Sequence, residues 1–194
     1  MKLPIVAYGD PILRKKAEEI EEDYPQLKEL IDNMFETMYG AHGVGLAAPQ
    51  VGLALRMFVI DGSPFAEDED GEGDPNLKDF KKVFINPIIV KEHGEKWAFN
   101  EGCLSIPDVN EEVLRPSNVV INYLDENFEE HEEELSGLAA RIVQHEYDHI
   151  EGKLFVDKLG PLKKTMLKGK LDQISKGQIR VGYKMKFPLQ KKGR

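Results

Sequence analysis

Leu27, Leu30, Ile31, Met34 and Met38 recur at the three-and-four spacing of one helix face, and Gly40 follows as a stop. That pattern predicts an early amphipathic helix packed on a core. The segment after it, Gly43-Val-Gly-Leu-Ala-Ala-Pro-Gln50, is too rich in glycine for a helix interior. Arg56–Asp61 then reads as a strand, with Val83–Val90 and Asn118–Leu124 as two further strand candidates. Pro87 lacks a backbone donor and marks an edge or bulge in the second of the three. Residues 62–80 collect glycine, proline and acids without any core-forming period, which predicts a surface loop. Ser136 is a candidate N-cap for a helix from about Gly137 to Glu151, with Gly152 as its stop. Strands between two helices, without strand–helix–strand alternation, predict an α+β fold: antiparallel strands packed around a central helix in a single domain.

Composition changes this picture little. The chain has 194 residues, of which 41% are hydrophobic and 31% charged, as expected of one globular domain with a sizeable core. No stretch approaches the ~18 uninterrupted apolar residues of a membrane span, and the N-terminal residues have no secretory pattern. Cys103 is the only cysteine, so no internal disulfide can form. These features predict a cytoplasmic protein without a membrane partner. Charge adds one distinction. Residues 158–194 carry 12 lysines and arginines against one acid, Asp172, whereas the rest holds 14 basic and 34 acidic residues. The chain is therefore read as a body, residues 1–160, and a basic C-terminal extension, residues 161–194. Such an extension suits either plain solvation or attraction to a polyanion.

The second predicted helix carries His145-Glu146-Tyr147-Asp148-His149. Histidines four apart share one helix face, so both imidazoles can reach one metal ion. Glu146 is rotated about 100° from His145, which sets its carboxylate beside the ion as a candidate base. A third ligand is required. No histidine follows His149 and no glutamate follows Glu151, so the downstream candidates are Asp157 and Asp172. The upstream candidate is Cys103, whose other readings are a small buried hydrophobe or a nucleophile. A thiolate with two imidazoles leaves a fourth position open and, on ligand chemistry alone, suits zinc.

Three segments, in order, resemble the peptide deformylase family: Gly43–Gln50, Glu101-Gly-Cys-Leu-Ser105 and Gln144–His149. The opening Tyr8–Arg14 is similar as well, and the likeness covers roughly residues 3–160. It implies an enzyme that removes the formyl group from the N-terminal formyl-methionine of nascent proteins and releases formate. Cys103, His145 and His149 would hold one divalent metal, Fe2+ in the cell, with Zn2+, Ni2+ or Co2+ able to replace it. Glu146 would be the general acid/base, while Gln50 and the Leu104 backbone N–H would steady the oxyanion. Gly43, Val44 and Gly45 would face the peptide, with Leu138 and Ile142 completing a pocket for methionine. Glu101 and Arg115 would brace the cysteine loop. Many relatives carry arginine seven residues after the cysteine, where this chain has Asn110. The basic extension adds an expected attraction to ribosomal RNA.

Overall fold

The computed structural model describes residues 1–66 and 73–190. Residues 67–72 of the expected acidic loop and 191–194 of the extension lie outside the described residues. The strands are β1 (Ile5–Val6), β2 (Gly45–Ala47), β3 (Met57–Asp61), β4 (Lys81–Cys103), β5 (Ile106–Leu124), β6 (Glu130–Ser136) and β7 (Met185–Lys186). The helices are α1 (Leu27–Gly40), α2 (Gly137–Ile150) and α3 (Pro161–Ser175). Strands β2 to β6 form an antiparallel sheet in sequence order, and β1 pairs in parallel with β7. Helix α2 packs across β2, β3, β5 and β6. This is a single α+β domain, as the pattern predicts.

The apolar face of α1 buries Leu27, Ile31, Met34 and Met38. Gly40 remains helical and Ala41 caps the end, so the stop falls one residue later than expected. Strand β3 is buried on both faces except at Asp61, which is why it reads as an unbroken apolar run.

The expected strands at 83–90 and 118–124 are the outer ends of a much longer hairpin, β4 with β5. Its middle, around Lys91–Lys96, is largely exposed and carries little apolar signal. The ladder slips between Ile85 and Ile88, around Pro87, where a missing N–H would otherwise leave a gap in the pairing. The hairpin closes tightly: Cys103 pairs with Ile106, so Leu104 and Ser105 form a two-residue turn.

Ser136 occupies the N-cap of α2 but makes no side-chain cap bond. It is the last residue of β6, paired with Asn118, and the chain passes directly from strand to helix. Gly137, at φ +57°, makes that corner. At the other end Gly152 has φ +70°, and a side chain there would strike the Arg14 carbonyl at 2.6 Å. Its N–H donates to His149 O and that of Lys153 to Asp148 O, which ends the helix at Ile150, directly after the HExxH segment. Arg56 then pins this end to the sheet, donating to Pro87 O and Glu151.

The extension beyond residue 160 folds back on the body. Leu171 and Ile174 of α3 are buried with Val6, Ile106 and Phe155, and β7 adds to β1.

Candidate metal and hydrolytic site

The two-residue turn and α2 face each other, and between them lies a cavity of about 510 Å3. From the turn side come Glu101, Cys103 and Leu104, and from α2 come Arg141, Ile142, His145 and Glu146. Cys103 Sγ and one ring nitrogen each of His145 and His149 lie within 4.8 Å of one another. The Cys103–His149 separation, Sγ to Nε2, is 3.4 Å. The helix repeat stacks the two imidazoles, and the hairpin end brings the thiol to them. Neither Asp157 nor Asp172 joins the group. Asp157 pairs with Arg14, and Asp172 with Lys176.

The donors are held from behind. Glu101, 4% exposed, accepts from Arg115 Nε at 2.7 Å and Nη2 at 2.9 Å. It also accepts from Arg141 Nη1 at 2.8 Å and His145 Nδ1 at 3.0 Å. The last bond turns the other nitrogen of His145 toward Cys103, the usual arrangement behind a ligating imidazole. Arg115 reaches on to Asp148 at 2.7 Å, and Arg141 stacks on Trp97 at 4.6 Å. Burial alone would raise the Glu101 pKa, but the hydrogen bonds from Arg115 and His145 outweigh it and keep the carboxylate below its usual range. Burial lowers the His149 pKa well below normal, which keeps that ring neutral and able to ligate. One thiolate and two imidazoles, one of them aimed by a carboxylate, fit a single divalent transition metal.

Glu146 differs from its neighbours. It is buried, its Oε2 has no hydrogen-bond partner among the described residues, and burial raises its pKa to about 7. Gly45 makes room for it, since a side chain at 45 would collide with the Glu146 carboxylate. Gly43 yields space in the same way to the Leu104 side chain. Both glycines, expected to clear a path for a peptide, also leave room for two side chains that line the cavity. Gln50 is 1% exposed. Its Oε1 accepts from Ala47 N–H at 2.8 Å, which leaves Nε2 to approach Cys103 Sγ at 3.6 Å and Ser105 Oγ at 3.4 Å. The Leu104 N–H makes no hydrogen bond to the described residues.

Val44, Ile142 and Asn110 line the cavity with Phe65 and Phe99, whereas Leu138 packs on the core and does not line it. The parts played by Arg141, Asp148 and Tyr183 around the cavity are not visible in the sequence. Arg141 sits four residues before His145, so its place on the metal-facing stripe was visible, but its bond to Glu101 was not. A second cluster, Asp125, Glu129 and His131, also brings three donor atoms within 4.8 Å, at the β5–β6 turn.

This chemistry has a counterpart among known proteins. The family described as Polypeptide deformylase matches residues 2–165. The chain belongs to that family. It is 63% identical to the peptide deformylase of Christiangramia forsetii over 100% of both chains. With that of Flavobacterium johnsoniae the identity is 59%, again over 100% of both. The crystal structure of a peptide deformylase from Legionella pneumophila superposes with a TM-score of 0.77 at 42% identity, covering 93% of this chain and 99% of that one. The chain is accordingly a hydrolase that removes the N-terminal formyl group from nascent peptides. Among the described residues no helix is long and apolar enough to cross a membrane.

Proposed function

We propose that Cys103, His145 and His149 hold the metal of this deformylase and that Glu146 moves its protons. The observation that carries the reading is the buried Glu146 carboxylate, with one oxygen unpartnered and a pKa of about 7, beside the three converging donors. A divalent ion held there supplies Lewis acidity and makes water nucleophilic near neutral pH. Glu146 takes the proton from the attacking water and later gives it to the leaving amine; a pKa near the working pH suits both directions. Gln50 Nε2 and the Leu104 N–H donate to the growing negative charge on the formyl oxygen, and such preorganised donors contribute several kcal/mol. Strand β2 is the edge of the sheet, so the Gly43–Gly45 segment can take the substrate backbone as an added strand. Val44 and Ile142 then contact the methionine side chain, with Leu138 supporting them from the core.

The decisive experiment is formate release from a formyl-Met tripeptide by anaerobically prepared, metal-loaded protein and its Glu146→Ala variant. Activity in the wild type alone supports Glu146 as the base; equal activity removes it from the mechanism.

Fe2+ is the proposed native metal, with Zn2+, Ni2+ or Co2+ as substitutes. Metal analysis of anaerobically purified protein, with activity lost in air, supports iron. We read residues 1–160 as the catalytic domain, working in the cytoplasm, with 62–80 as a connecting loop. The basic extension, 161–194, draws the enzyme to ribosomal RNA. Lys164 and Lys168 of α3 are exposed, and clustered lysines suffice for attraction to phosphates. Ribosome co-sedimentation that survives Lys164→Glu with Lys168→Glu would remove this partner.

A further inference from the structure

We infer that Tyr183, delivered by the C-terminal extension, is a positioning residue that sets the direction of the Leu104 N–H. The inference rests on the proposed use of that N–H as an oxyanion donor. Three observations carry it.

The turn that presents Leu104 is poorly suited to hold itself. Two-residue hairpin loops favour residues with positive φ, commonly glycine or asparagine, because those turns match the twist of the flanking strands. Here the loop is Leu104–Ser105, and neither residue has positive φ. The loop therefore depends on outside contacts.

Those contacts reach both of its carbonyls. Tyr8 N–H donates to Ser105 O at 2.8 Å. The Tyr183 hydroxyl donates to Leu104 O at 2.7 Å, across 79 residues of sequence. The Leu104 carbonyl belongs to one rigid peptide plane and its N–H to the preceding one, with only φ and ψ of Leu104 between them. Cys103 is fixed by its pairing with Ile106. Anchoring the carbonyl consequently removes the remaining freedom of the N–H.

Tyr183 is itself fixed. The next residues join the N-terminal strand, where Ile5 N–H donates to Lys184 O and Ala7 N–H to Lys186 O, both at 2.9 Å. Gly177, at φ +68°, turns the chain back from α3 against the Phe187 ring. Tyr183 also lines the cavity beside Leu104. It lies beyond residues 2–165, the stretch matched by the family.

The test is Tyr183→Phe in the full, metal-loaded chain, which keeps the ring and removes the hydroxyl. The expected result is a kcat lower by about threefold to tenfold, the scale of one hydrogen bond, with KM and metal content unchanged. In the zinc-loaded protein the Leu104 amide resonance should shift and exchange faster with solvent. An unchanged kcat, or a loss carried by KM alone, overturns the inference. A backbone ester at Leu104, which deletes the N–H, separates the two layers. If the ester loses kcat while Tyr183→Phe keeps it, Tyr183 alone is rejected. If the ester keeps full kcat, the oxyanion role of Leu104 fails, and the role of Tyr183 fails with it.

Discussion

Among the described residues, two places bring three potential metal donors within 4.8 Å of one another, Cys103–His145–His149 and Asp125–Glu129–His131. The first is walled by α2 and the end of β4. Its donors face a cavity, and a buried carboxylate aims one of them. The second sits on the turn between β5 and β6, where its groups already satisfy each other. Asp125 accepts from the backbone of Asn127 and Glu129 and pairs with His131 at 2.8 Å. Closeness of donors is thus common to both. Of the two, the first has one donor that is fully buried, His149, and one aimed from behind by a buried carboxylate, His145. A metal at the turn would have to displace the bonds to Asp125, while at the helix the His145 ring is already aimed by Glu101.

The largest expected effect comes from removing the thiol. Cys103→Ala should take metal content from about one ion per chain to near zero and abolish formate release, as read by elemental analysis and a formate assay. Metal retained at full stoichiometry would reassign the third ligand. Glu146→Ala should leave the ion in place and lower turnover by about 10²–10⁴-fold, the range for a positioned acid–base group. A smaller effect follows from Glu101→Gln. The variant should bind metal about 10–100-fold more weakly in a chelator competition. It should also lose roughly 3–5 kcal/mol of stability, because Arg141, 2% exposed, would be left without its carboxylate while Arg115 keeps only Asp148. Unchanged chelator resistance would make Glu101 a purely structural group.

The sequence exposed the parts of this site whose spacing is local. His145, Glu146 and His149 are ordered by the helix repeat alone, and the apolar stripe of α1 and the run at β3 follow from one period each. The α+β class needed no more than that. Cys103 was one candidate among three on its residues; the resemblance singled it out, and the fold places it with the histidines. The brace was half visible. Glu101 with Arg115 came from the resemblance, but Arg141 binds Glu101 across 40 residues and Arg115 binds Asp148 across 33, and no periodicity encodes such pairs. The middle of β4, around Lys91–Lys96, was missed because it is largely exposed and lacks a buried face. Helix α3 was missed because its lysines mask a short apolar contact at Leu171 and Ile174. Read as a basic extension, either solvated or drawn to a polyanion, that segment gave no sign of the Tyr183 bond to Leu104.

The smallest expected effect sharpens the comparison from the other side. His131→Ala and Asp125→Asn should leave metal content and turnover at wild-type levels, since neither residue touches the cavity. The stability change should stay below about 1 kcal/mol, because a solvent-facing ion pair is screened and confines two side chains. Its pH dependence has a defined sign. The hydrogen bond from His131, followed by those from the Asn127 and Glu129 backbone, lowers the Asp125 pKa below 3.8, against the opposing effect of burial. A depressed carboxylate stabilises the fold fully above its unfolded pKa and loses that contribution as the pH falls through its folded one. The melting-temperature gap between wild type and Asp125→Asn should therefore be steady above pH 3.8 and close below it. Loss of metal or activity in either variant would mean that the turn is coupled to the centre on α2, and that two donor clusters of equal compactness are not as different as their surroundings make them.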